Sequence, residues 1–202
     1  AAQTMFEHGH GRISPFFVPM MLSDSIPARI SMHYNLRGPN MSIATACASS
    51  TNAIGEAARM VAAGVSDIMV TGGAETAIVP ISIAGFNVMG AMSTENEEPT
   101  RACRPFDLNR HGFIPADGAA IVVLEELEHA LGRGVHIYGE VVGYGSSADA
   151  HHLTAPREDG LGALRAMRMA LEESGLAPHE VGYINAHGTS TQANDSNETS
   201  AI

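Results

Sequence analysis

The sequence contains no lysine: all eleven of its basic residues are arginine, against 22 acidic ones. No Schiff base and no lysine general base can therefore come from these 202 residues. A net charge of −11 also removes the basic footprint that neutralising a phosphate backbone requires, so nucleic acid is not an expected partner. Tryptophan is absent and cysteine occurs only twice, too few for a disulfide framework, which fits a reducing, cytoplasmic setting. No apolar run reaches the length of about 18 residues that a membrane helix needs, and the polar start AAQTMFEHGHGR has no signal-peptide core. Both ends read as cut: the first residue is not Met, and NETSAI stops without a turn or helix-stop signal.

What is present reads as a globular α/β protein. Hydrophobic residues make up 45% of the chain and charged residues 16%, a balance that predicts a sizeable core. Strand-like and helix-like segments alternate. Residues 42–46 read as a strand, followed by a helix carrying Ile54, Ala57, Ala58 and Val61 on one face and stopping at Gly64. Strands are expected at 67–73, 118–126, 136–145 and 181–191. A helix is expected at 161–176, with Leu164, Met167 and Leu171 sharing a face and Gly175 ending it. Alternation of this kind predicts a largely parallel sheet. The irregular stretches 92–117 and 145–160 are long enough to carry function.

Chemistry concentrates at a few points. Cys47 sits where the strand 42–46 runs into a helix. Free N–H groups and the positive dipole end at a helix start favour thiolate over thiol, and the same groups can stabilise an oxyanion. Its neighbours Ala46, Ala48, Ser49 and Ser50 are small and leave room for a substrate. From spacing alone, Cys47 is either a nucleophile or a buried small hydrophobe. Cys103 has no such context. A nucleophilic Cys needs a basic partner, commonly His. Of ten histidines, His187 is best placed, at a strand exit before Gly188 and the hydroxyls of Thr189, Ser190 and Thr191; His152 is second. His8, His10, His129 and His179 read as surface or hydrogen-bonded residues. GYGSS is not a dinucleotide fingerprint, no metal-ligand spacing is found, and ENEEP reads as a solvated loop.

Seven stretches together resemble the β-ketoacyl-acyl-carrier-protein synthases, the condensing enzymes of fatty acid synthesis: RISPFFVP, LRGPNMSIATACASS, DIMVTGGAE, RPFDLNRHGF, DGAAIVVLEELEHA, SSADAHHLTAP and GYINAHGTSTQANDSNET. The likeness is nearest to the bacterial elongating type II branch and runs from about residue 12 to the end. It implies a thiolase-like αβαβα layered fold of two similar halves, with a mostly parallel sheet and some antiparallel strands. Residues 1–145 would supply most of the N-terminal half and 146–202 the opening of the C-terminal half. The implied reaction is a decarboxylative Claisen condensation: an acyl group on Cys47 reacts with malonyl-acyl carrier protein, giving 3-oxoacyl-acyl carrier protein. His187 would assist decarboxylation. Thr189, Thr191, Thr154 and His152 would line the pantetheine channel, Phe86 would border the acyl pocket, and Phe17 would reach across a homodimer interface. Asp195 and Glu198 match a supporting pair of acids, with Glu198 meeting a family lysine beyond this chain. Arg12 sits where the family docks its carrier. No cofactor would be tightly bound; the phosphopantetheine arm of the carrier protein delivers the acyl and malonyl thioesters. Two departures stand out: Asn194 replaces a usual glycine, and Pro27 falls in a helical stretch. A polyketide ketosynthase is the alternative enzyme, although TACASS differs from the TACSSS usual there. The alternative from another class is a truncated, non-catalytic ketosynthase-fold partner.

Overall fold

The structure, a computed structural model, describes residues 1–202. The chain folds as two compact units, Ala1–Ala53 and Ile54–Ile202.

The first unit is helical. It holds α1 (Ala2–His8), a 3₁₀ turn at His10–Arg12, α2 (Phe17–Met21) and α3 (Ser25–Tyr34). Pro27 is the third residue of α3, where its missing N–H costs nothing because the first turn has no intrahelical acceptor for it. The first α3 bond runs from Ala28 N–H to the Asp24 carbonyl. Asn35 closes the helix in a left-handed conformation, φ 56°. No residue of this unit is buried.

The helix expected after Cys47 is α4 (Ser49–Ala62). The expected strand before it is reduced to an isolated bridge between Thr45 and Cys47. In the second unit, β1 (Ile68–Glu75) pairs antiparallel with β2 (Gly118–Glu125), in register from Ile68 opposite Glu125 to Glu75 opposite Gly118. The sheet expected to be largely parallel is thus represented by one antiparallel ladder. Residues 136–145 and 181–189 contain neither helix nor ladder. A strand exists only through cross-strand hydrogen bonds, and residues 1–202 offer these two segments no partner. The remaining helices are α5 (Pro80–Val88), α6 (Leu127–Arg133), α7 (Leu161–Ser174) and α8 (Gln192–Ala201). Gly175, at φ 71°, ends α7 as its spacing predicted.

The sizeable core expected from composition is not found. The buried apolar residues are Ala57, Ala102, Ala130, Tyr144 and Ala201, whereas Tyr138 and Leu153 are 97% and 96% exposed. The apolar residues are on the expected elements, but much of each apolar face lacks cover within these residues. Tyr144 is buried and closely packed. Its ring lies over Gly55 of α4, with the Arg59 guanidinium carbon 4.7 Å from the ring centroid. Gly143 and Gly145 abut the α7 backbone at Ala170 and Ala166, where any side chain would collide. The GYG sequence is therefore a close-packing device between α4 and α7. No helix is long and apolar enough to cross a membrane.

Candidate active site

In the first unit, Cys47 is exposed and lies two residues ahead of α4. Ser49 organises this joint. Its hydroxyl accepts from Thr45 N–H at 2.8 Å and donates to the Ala46 carbonyl at 2.7 Å. Asn52 Nδ2 donates to Thr45 Oγ1 at 2.7 Å. Ala46 is held at φ 50°, a left-handed conformation disfavoured for alanine, immediately before the thiol. Phe17 is the first residue of α2 and half-buried, and Arg12 is exposed at the end of its 3₁₀ turn.

The second unit contains an open cavity of about 740 Å³. It gathers six of the residues singled out above: Phe86, His152, Thr154, His187, Thr189 and Thr191. They come from α5, the 145–160 loop and the segment that enters α8. The Phe86 ring meets Phe113 edge-on, centroids 5.2 Å apart, and both line the apolar wall. His152 Nδ1 accepts from the N–H groups of Thr154 and Ala155 at 3.2 and 3.1 Å. Two donors at Nδ1 leave the neutral ring's proton on Nε2. The hydroxyls of Thr189 and Thr191 bond each other at 2.8 Å, and Thr191 caps α8 by accepting from Asn194 N–H.

His187 is exposed and is held through its backbone. Glu198, one helical turn and more into α8, accepts from His187 N–H at 2.6 Å and from Gly188 N–H at 2.9 Å. Both of its oxygens thus serve the His187 loop. Asn194 Nδ2 donates to Asp195 Oδ1 at 3.2 Å and Glu198 Oε2 at 3.4 Å, so the asparagine bridges the acid pair.

Asp195 is 1% exposed. It accepts from Phe106 N–H at 2.8 Å and from Ser190 N–H at 3.1 Å, and pairs with Arg110 Nε at 3.2 Å. Phe106 and Ser190 are both left-handed, at φ 64° and 66°. Such strained residues persist only where their surroundings over-determine them, and one carboxylate holds both. Ser190 is completely buried: Arg104 N–H donates to its hydroxyl at 3.0 Å, and Gly112 N–H to its carbonyl at 2.8 Å. The RPFDLNRHGF stretch is therefore bolted to the stretch carrying His187.

Arg110, Phe113 and Met89 were not legible as site residues, although the last two also line the cavity, and Ser190, expected among the hydroxyls beside His187, is instead buried in this network. The available signal was RPFDLNRHGF itself: an arginine amid aromatic and aspartate residues in an irregular stretch. Nothing in the sequence marked its contact with residues some 80 positions on.

The comparisons agree on one class. A ketosynthase structure from Burkholderia phymatum superposes with TM-score 0.92 at 38% identity, covering all of this chain and 49% of that one. A ketosynthase from a type II polyketide system, solved with its acyl-carrier protein and bound to a hexaketide, gives TM-score 0.92 at 37% identity, covering 96% of this chain and 48% of that one. These likenesses define a thiolase-like ketosynthase fold. The description Beta-ketoacyl synthase, N-terminal domain, matches residues 1–130, and its C-terminal counterpart matches 138–202. The chain belongs to the β-ketoacyl synthase family. Among curated relatives, 3-oxoacyl-[acyl-carrier-protein] synthase 2 of Vibrio cholerae is 50% identical over 200 residues, covering 99% of this chain and 48% of the relative. The protein of the same name from Rhizobium meliloti is 51% identical over 203 residues, covering 100% and 48%. The chain spans about half the length of these relatives.

Proposed function

We propose that the protein containing this chain elongates acyl chains by decarboxylative condensation, a reading supported by its 50–51% identity to relatives named 3-oxoacyl-[acyl-carrier-protein] synthase 2. The observation that carries this reading is that His187, Thr189, Thr191, Thr154, His152 and Phe86 line one cavity. Cys47 attacks the thioester of an acyl-carrier protein, forming a new C–S bond and releasing the pantetheine thiol. Malonyl-carrier protein then loses CO₂, and the electron pair left on its α-carbon attacks the acyl carbonyl. A C–C bond forms, the bond to Cys47 breaks, and the thiolate is restored. His187 supports the enolate stage, and Thr189 and Thr191 bind the pantetheine amides. Thr154 and His152 flank that arm, with the Nε2–H of His152 as the available donor. Phe86 borders the acyl chain. Asp195 and Glu198 support the site through the backbone bonds described above.

Carrier protein is the proposed partner, since a neighbouring ketosynthase was solved with one, and Arg12 is the proposed docking residue. A cytoplasmic homodimer, with Phe17 at its interface, completes the proposal, as does a boundary between the two family halves near residues 145 and 146. Fatty acid elongation is preferred over polyketide chemistry because identity reaches 50–51% with the former relatives and 37% with the polyketide enzyme. A non-catalytic partner is not favoured by relatives named as synthases.

The test is intact mass after incubation with an acyl thioester, on the protein expressed with the flanking coding sequence its gene carries. One acyl adduct is expected, retained in Cys103→Ala and lost in Cys47→Ala. An adduct that survives Cys47→Ala and disappears in Cys103→Ala overturns the assignment.

A further inference from the structure

We propose that Arg110 is a positioning residue for the condensation step, acting on His187 through the backbone that carries it. The proposal rests on the role given to His187 above. Arg110 is nearly buried, with 11% of its side chain exposed. Its planar guanidinium is engaged on every nitrogen. Nε donates to the Thr191 carbonyl at 3.1 Å and lies 3.2 Å from Asp195 Oδ2. Nη1 donates to the Asp107 carbonyl at 3.0 Å. Nη2 donates to the Gln192 carbonyl and to Ser196 Oγ, both at 3.0 Å. Gln192 Nε2 returns a bond to the Arg110 carbonyl at 2.7 Å.

The consequence follows from what those partners hold. Thr191 and Gln192 directly continue the 187–190 segment into α8. Asp195 holds the left-handed Ser190, and Glu198, on the same helix, holds the N–H groups of His187 and Gly188. Arg110 therefore fixes the first turn of α8 to the 104–112 segment, and α8 fixes His187 from both ends of its loop. A lysine cannot substitute. Its point-like ammonium has three donors on one atom, whereas these acceptors surround a planar fork.

The experiment separates the two half-reactions in the protein expressed with its flanking coding sequence: acyl transfer to Cys47, read by intact mass, and malonyl-thioester decarboxylation, read by CO₂ release. Displacement of a reacting group by about 1 Å can cost on the order of 100-fold in rate. Arg110→Lys is expected to slow decarboxylation about 10- to 100-fold, while the rate of Cys47 acylation stays within about threefold. A merely structural role would lower both together in proportion to the folded fraction. Equal losses in both half-reactions, or no loss in decarboxylation, overturn the proposal. If Arg110→Lys does not fold, the Gln192→Ala/Ser196→Ala double variant removes the Ser196 Oγ acceptor of Nη2 and the Gln192 Nε2 bond to the Arg110 carbonyl, and keeps the ion pair and the backbone acceptors. It is expected to slow decarboxylation alone, and unchanged decarboxylation overturns the proposal equally. His187→Ala distinguishes the two levels. If it leaves decarboxylation intact, the functional reading fails. If it abolishes decarboxylation while Arg110→Lys does not affect it, only the Arg110 proposal fails.

Discussion

Replacing Asp195 with alanine removes the acceptor on which two strained residues and one buried cation converge. The carboxylate is 1% exposed and takes the N–H groups of Phe106 and Ser190 together with Arg110 Nε. Removing one partner of a buried ion pair costs about 3–5 kcal/mol. Each orphaned buried N–H carries a penalty of about 1–3 kcal/mol. These penalties describe overlapping losses in one network and do not add, so the expected cost is about 4 kcal/mol. At about 2–4 °C per kcal/mol for a domain of this size, the melting midpoint falls by about 8–16 °C. Asp195→Asn is isosteric but turns one acceptor into a donor facing another donor, so it loses most of the same stability. Glu98→Ala breaks only the exposed pair with Arg101 and is expected within about 0.5 kcal/mol of wild type. Differential scanning calorimetry on the three variants measures this. A midpoint within about 3 °C of wild type for Asp195→Ala, about 1 kcal/mol at this size, would refute the claim that this carboxylate holds the two stretches together.

Two further expectations concern α7. Gly145→Ala would bring a Cβ within 2.8 Å of the Ala166 carbonyl carbon and 3.0 Å of Ala170 N, backbone atoms that cannot swing aside. Overpacking of this kind costs about 1–3 kcal/mol, whereas Gly139→Ala meets nothing within 4 Å and should melt like wild type. Asp159 is held down to about 2, from its ordinary 3.8, first by the side-chain hydrogen bonds from Arg157 and then by the N–H of Leu161 at the start of α7. A depressed carboxylate stabilises the fold above its unfolded value and loses that contribution as pH falls through its folded value. The contribution of this exposed contact to the first turn of α7 is therefore present above about pH 4 and lost as pH approaches 2. A carboxyl NMR titration of Asp159 with its midpoint near 3.8 would contradict this.

Much of the local structure was legible because it depends on neighbours in sequence. The α4 face of Ile54, Ala57 and Val61, the stop of α7 at Gly175 and the strands β1 and β2 all follow from periodicity and glycine placement. Candidate site residues were legible from residue type and motif: His187 before a glycine and three hydroxyls, Cys47 before a helix. Three things were not legible. Ladder formation at 136–145 and 181–189 depends on a partner strand, which an apolar run cannot supply for itself. Burial depends on covering elements, so a chain 45% hydrophobic leaves Tyr138 and Leu153 almost fully exposed. The convergence of Arg104, Phe106 and Arg110 on Ser190 and Asp195 joins positions more than 80 residues apart. Local propensity decides which segments become helices and where they stop, because those hydrogen bonds close within four residues. Only the tertiary structure decides which buried charge finds which partner, because desolvation and pairing are properties of the space around a side chain and not of its place along the chain.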